Sequence, residues 1–331
     1  MRRCQIALCG RDSDEVRQIR ADLENYNITA LAVVCDVSDK TQVDVLFERV
    51  TETLGPVDIL VNNAGTIQVG PVELASVSDF RDAMDTLFFG HVNCSLTVLP
   101  QMLARKRGHI VNIISIGGRV SMPHLIAYCS AKFAALGFSE GLQAELASRQ
   151  IKVTTILPGL MNTGAYMNTL LKGQLEKEFA WFSVSDSLPL LSIDGAAAAR
   201  QIVEATRRGK REHIITRSAL LFDLCKRLFP GLTIRVLGGV NRLLPDAAGG
   251  VDRPTWSMAL AQSVHSPFLK ALLTPNRRAA IANHEMPGPR AEMPVVPGQP
   301  IPTTDSLVPP DANRYQLFTD EQSLGNNSTL D

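Results

Sequence analysis

The chain is expected to form an α/β domain on a doubly wound parallel sheet, followed by a helical extension. Three observations point there. Short β-branched apolar runs alternate with longer segments whose apolar residues recur at helical spacing, the pattern of a parallel sheet covered on both faces. Breaking residues stand at the junctions: Gly55-Pro56, Gly108 and Pro158-Gly159. The residues able to do chemistry follow the apolar runs directly, where open α/β sheets bind their ligands.

Taken in order, residues 5–9 (Gln-Ile-Ala-Leu-Cys) read as an opening strand, a run too short for a secretion signal or a bilayer span. Residues 14–25 read as a helix and 30–35 (Ala-Leu-Ala-Val-Val-Cys) as the next strand. Helix 40–54, strand 58–62, helix 78–105, strand 109–114, helix 127–149, strand 152–157, helix 195–208 and strand 213–215 continue the alternation. The expected division is a dinucleotide-binding and catalytic domain over 1–216, a helical extension over 217–250, and a mostly irregular stretch over 251–331. In that stretch prolines recur from Pro287 to Pro310, removing backbone donors and opposing regular structure, so a disordered tail is expected.

Thirty-three basic residues balance 33 acidic ones, so no global attraction to nucleic acid is expected. The six cysteines are scattered, without zinc-ligand spacing or a dense framework, and read as reduced residues of a cytoplasmic protein.

The chemistry concentrates on Ser115, Tyr128 and Lys132. On a helix, Tyr128 and Lys132 meet as an i, i+4 pair. A phenol titrates near ~10 and moves protons poorly at neutral pH, and an ammonium beside it is expected to lower that value. A serine hydroxyl at a strand end can orient a carbonyl or alcohol oxygen near a hydride source. Interconversion of an alcohol and its ketone needs all three roles.

The chain resembles the short-chain dehydrogenase/reductase family, with its Rossmann-like sheet, over about residues 1 to 215. The resemblance rests on Cys35-Asp36-Val37, Asn62-Asn63-Ala64-Gly65, Ser115, Tyr128, Lys132 and Pro158-Gly159 with Thr163, in the family's order and spacing. It implies an NAD(P)-dependent oxidoreductase in which Asp36 meets the adenine edge with Val37 packed nearby. It also implies that Asn62, Ala64 and Gly65 let the backbone approach the cofactor, that Lys132 bonds the nicotinamide ribose, and that Pro158, Gly159 and Thr163 belong to the cofactor site. After the first strand stands Arg11, where an acidic residue would bond the ribose hydroxyls of NAD; an arginine accommodates the extra phosphate, so NADP(H) is favoured over NAD(H).

Two departures stand out. Members of the family begin with a strand, a glycine-rich turn and a helix whose N-terminus holds the pyrophosphate. Here the first strand of the pattern is missing, Gly10 is the only glycine before Gly55, and the absent strand would lie between strands 5–9 and 58–62. The expectation is that about 25 to 30 residues precede Met1, the length of one strand, turn and helix. The alternative is a catalytically silent protein of the same fold, acting through protein contacts. In the second departure, Leu87 stands where most members place an asparagine that helps hold a water behind the lysine; His91, one turn on, is a candidate substitute.

The resemblance implies that segment 164–193 forms a loop and helix covering the active site; it is rich in apolar and aromatic residues (Tyr166, Met167, Leu170, Leu171, Phe179, Trp181 and Phe182), which suits a lipophilic alcohol or carbonyl substrate. Helices are expected over 218–229 and 233–244, docking on the domain in preference to a membrane surface. Phe133, Leu136, Phe138, Leu142 and Leu146 make too many apolar residues for one helix face, which points to a homodimer or homotetramer.

Overall fold

The computed structural model describes residues 4–26, 28–187 and 192–261, with residues 273–274, 276–277 and 279–280 beyond them. Strand β1 (Ile6–Gly10) leads through helix α1 (Ser13–Asn25) to β2 (Ala30–Val34), its parallel partner. Asp12 caps α1 by accepting the N–H groups of Asp14 and Glu15. Helix α2 (Lys40–Leu54) is capped by Asp39 and stopped by Gly55 at φ 86°, a left-handed conformation that glycine adopts without strain.

After β3 (Ile59–Asn62) and β4 (Ile67–Val69), a Ser76–Asp79 capping box opens α3 (Val77–Met84). A π-helical turn over Asp85–Phe89 separates α3 from α4 (Gly90–Arg105), so the single helix expected over 78–105 carries a bulge in its middle. This 29-residue run is long and apolar enough to cross a bilayer by length and composition, yet its inner face, with Leu87, Cys94, Val98 and Met102, lies in the domain core.

Strand β5 (Gly108–Ile113), helix α5 (Ile126–Leu146) and strand β6 (Ile151–Leu157) follow. Then come β7 (Leu160–Asn162), β8 (Thr169–Gly173), α6 (Leu175–Ser187), β9 (Ser192–Asp194), α7 (Gly195–Arg208) and β10 (Glu212–Ile214). The chain continues with α8 (Arg217–Leu228), α9 (Pro230–Asn241), β11 (Val251–Trp256) and α10 (Ser257–Ala261).

The main sheet is parallel, in the order β10-β6-β5-β3, and β1-β2 form a separate two-stranded parallel sheet. No hydrogen-bonded ladder joins β1 to β3 among the described residues, so the sheet is divided where the absent strand is expected. Exposure marks the division: Ile59 and Val61 of β3 are 53% and 50% exposed, while Ile110, Val111 and Ile156 of the inner strands are fully buried. Such an open strand edge offers unpaired backbone groups.

Three expectations need correction. Of the five apolar residues thought surplus on α5, Leu136, Leu142 and Leu146 are buried and Phe138 packs on the core; only Phe133 is exposed. The segment 164–193 contributes strand β8 as well as a helix, and β8 sits between β4 and β11. The stretch from 251 does not begin irregular, because Thr255 and Trp256 of β11 pair antiparallel with Leu171 and Leu170. Pro254 falls within the register shift on this edge strand, where a residue without an N–H is tolerated. The proline-rich residues 287–310 lie outside the described residues.

Candidate active site

Ser115 follows β5 directly, and its backbone is tied to the end of β6 through the Ile116 N–H, which donates to the Pro158 carbonyl at 2.8 Å. Its Oγ accepts the Gly117 N–H at 3.0 Å and stands on the same side of Gly117 as the ring of Tyr128, in the first turn of α5. Gly117 makes this meeting possible. A Cβ there would stand 3.0 Å from the Tyr128 ring and 3.3 Å from Ser115 Oγ, tighter than ordinary packing.

Lys132 lies one turn further along α5, buried, with Nζ donating to the Ile113 carbonyl at 3.1 Å and lying 5.9 Å from the Tyr128 ring centre. Burial pushes the lysine down to about 7. Burial also pushes Tyr128 up to about 12, with the neighbouring Ser115 hydroxyl opposing it. The expected lowering of the phenol by Lys132 is therefore not what sets its titration here; loss of water outweighs it, since desolvation disfavours the charged form of either group.

Leu87 is buried against Ala83, Ala127 and Ala131, with Tyr128 packed on the same cluster. His91 is buried beside Lys132, and burial, followed by the lysine charge, pushes it down to about 3. Its Nε2 has no partner among the described residues. Sequence reasoning missed Asp186 of α6. This buried carboxyl accepts the Asn276 Nδ2–H at 3.5 Å, is pushed up to about 7 by burial, and acts on Tyr128 by its charge. Its polar helical neighbours Ser183 and Ser187 gave no signal that it faces the site.

The residues expected to hold a cofactor divide into three groups. Asp36 follows β2, with one carboxylate oxygen accepting from the Ser38 N–H and hydroxyl, and Val37 is buried against Gly90, where a Cβ would come within 2.7 Å of it. Ala64 and Gly65 present exposed backbone after β3. Asn62, by contrast, turns inward, donating to Ser95 at 3.0 Å and Asn112 at 2.8 Å, so it braces the strand ends. Pro158, Gly159 and Thr163 follow β6, although Gly159 is required by Thr216, whose Oγ1 would lie 2.1 Å from a Cβ there.

Arg11 is exposed at the end of β1. These positions fit the adenine and nicotinamide ends of a dinucleotide. The pyrophosphate lacks a matching cradle among the described residues, because the N-terminus of α1 is capped by Asp12 and carries Asp14 and Glu15 in its first turn, which repel an anion.

A cavity of about 540 Å³ lies at the start of α5, lined by Pro71 and Val72, by residues 121–124 and Ile126, and by α9 residues including Ile234 and Leu237; Ser115, Tyr128 and Lys132 are not among its lining residues. His124, at φ 62°, is fixed at its wall by Glu178, which accepts its Nδ1 hydrogen bond at 2.9 Å and that of Trp181 Nε1 at 2.6 Å. The aromatic residues expected to line a substrate pocket do something else: Tyr166, Met167, Leu171, Phe179 and Phe182 are buried together against Val69 and fasten the 164–187 segment to the domain.

A divided parallel sheet with serine, tyrosine and lysine converging at its carboxyl end defines a dinucleotide-fold oxidoreductase framework. The family model of the short chain dehydrogenases matches residues 2–172, and the chain belongs to that family. Dehydrogenase/reductase SDR family member 7B of Xenopus laevis is 34% identical over 171 residues, 50% of this chain and 53% of the relative. Human 17-beta-hydroxysteroid dehydrogenase 13 is 36% identical over 158 residues, 46% of this chain and 52% of the relative. The chain thus spans about half the length of these curated relatives. Among solved structures, the L-sorbose reductase of Gluconobacter frateurii, complexed with NADPH and L-sorbose, is similar with a TM-score of 0.57 and 25% identity, over 65% of this chain and 87% of that one.

Proposed function

We propose that the protein is an NADP(H)-dependent oxidoreductase of the cytoplasm that interconverts a lipophilic alcohol and its ketone or aldehyde. The observation that carries this reading is the meeting of Ser115 Oγ and the Tyr128 ring at Gly117, with Lys132 one turn behind them. Ser115 orients the substrate oxygen, and Tyr128 gives a proton to it during reduction or takes one during oxidation. A bound nicotinamide supplies or accepts the hydride. Lys132 holds the nicotinamide ribose, whose hydroxyls would give its buried ammonium further polar partners and favour the charged form.

Asp36 and Val37 hold the adenine end, Arg11 the NADP phosphate, and Ala64, Gly65, Pro158, Gly159 and Thr163 the remainder. The NADPH in the similar L-sorbose reductase supports the cofactor choice, and the relative named for 17-beta-hydroxysteroids supports a lipophilic substrate. A homo-oligomer formed through α4 and α5 accords with the exposed Phe89, Leu96 and Phe133. Light scattering that finds a stable monomer at micromolar concentration would count against it. The divided sheet and the acidic start of α1 favour a second reading, a catalytically silent member of the family. Titration with NADPH, followed by protein fluorescence, separates the two: saturable binding supports the enzyme, and no binding at millimolar cofactor removes it.

A further inference from the structure

We infer that the α8–α9 hairpin is a docking surface for an anionic lipid bilayer. Both helices turn only a narrow face inward: Ala219 and Asp223 of α8 and Leu237 of α9 are buried. Eleven large apolar side chains between Leu220 and Leu243 stay exposed. On α8, Leu220, Leu224 and Leu228 recur at i, i+4 and i+8 along one face, and on α9, Leu232, Val236 and Val240 do the same. A single exposed leucine needs no explanation, but adjacent apolar faces on two consecutive helices mark an interaction surface.

Charge selects the partner. Residues 217–244 hold five basic side chains, Arg217, Lys226, Arg227, Arg235 and Arg242, against one acid, in a chain whose net charge is zero. That acid, Asp223, is buried and accepts Arg227 at 2.9 Å, and Glu212 lies 3.7 Å from the same guanidinium, so Arg227 is offset while Arg217, Lys226, Arg235 and Arg242 are left as the excess of positive charge. Apolar residues interleaved with arginines on helices lying side by side suit the boundary between acyl chains and anionic headgroups. A second copy suits the face poorly: two-fold docking would set these arginines against their own kind, with no exposed acid in the hairpin to pair them. The cavity at the start of α5 shares this face, since exposed Ile234, Val72 and Ile126 are among its lining residues. A bilayer-dissolved substrate would meet its mouth there, an extension that rests on the oxidoreductase reading.

The test is flotation of the full chain with vesicles of phosphatidylcholine alone and of phosphatidylcholine with phosphatidylserine. The serine-containing vesicles should carry the protein up, less so in high salt. Leu228→Asp and Leu232→Asp should each weaken that binding at least about tenfold, and Arg235→Gln and Arg242→Gln about fivefold each. Thermal melting checks that the variants remain folded. Failure of the wild type to float, or flotation unchanged in the leucine variants, overturns the inference. So does a dimer in solution that these substitutions dissolve without any vesicle binding by the wild type, which would assign the face to a second copy. Flotation requires neither cofactor nor turnover, so its failure is distinct from failure of the oxidoreductase reading.

Discussion

Tyr128 and Asp186 show how burial, more than any single charge, sets the chemistry of this site. Tyr128→Phe should lower turnover about 10²- to 10⁴-fold while cofactor affinity stays near wild type, because only the proton-moving hydroxyl is lost. Lys132→Met should damage both, as measured by initial rates and by NADPH titration. Arg11→Asp should move preference from NADPH toward NADH, and an unchanged cofactor ratio would reduce Arg11 to a surface residue. Asp186 gives a pH signature. Its folded-state pKa is raised from 3.8 to about 7, so its neutral form stabilises the fold below about pH 4, and that contribution is lost as pH rises through 7. Asp186→Asn should therefore raise the unfolding free energy above pH 7, by at most about 4 kcal/mol, and leave it unchanged near pH 4. Denaturant melts at the two pH values decide it. Ser115, Tyr128 and Lys132 were legible because their spacing is local and tied to one strand and one helix. Asp186 was not, since only the packing of α6 brings it to Tyr128.

At the scale of elements, the alternation of strand and helix was readable because each apolar run carries its own periodicity and its own stops. Non-local pairings were not. Lys172 of β8 and Asp79 of α3 form a buried pair at 2.6 Å across 93 residues of chain, and nothing local to either announces the other. Lys172→Met should destabilise the fold by about 3–5 kcal/mol, since it strands a buried carboxylate, and adding Asp79→Asn, which removes the charge and keeps an oxygen for the Ser76 N–H, should recover part of the loss. Equal stability of the single and double variants in urea titration would show that the pair does not fasten β8 to α3. Strand β11 escaped for a similar reason: Pro254 and the charged Asp252 and Arg253 hide a strand whose ladder exists only because β8 offers it an edge. The inward turn of Asn62 likewise depends on Ser95 and Asn112, both far from it in sequence.

For the whole molecule, the order of motifs placed the interruption of the sheet between β1 and β3, and the structure divides there. A net charge of zero concealed the local excess of cations on α8 and α9, because composition averages over faces that only the fold separates. The central claim is that Ser115, Tyr128 and Lys132 carry hydride-linked proton transfer. The most direct measurement follows deuterium from the nicotinamide of labelled NADPH into the alcohol formed from a lipophilic ketone, with wild-type protein and with Tyr128→Phe. Label in the wild-type product, reduced at least about a hundredfold in the variant, is the predicted result. Saturable NADPH binding with no transfer by the wild type, or equal transfer by both proteins, would contradict it.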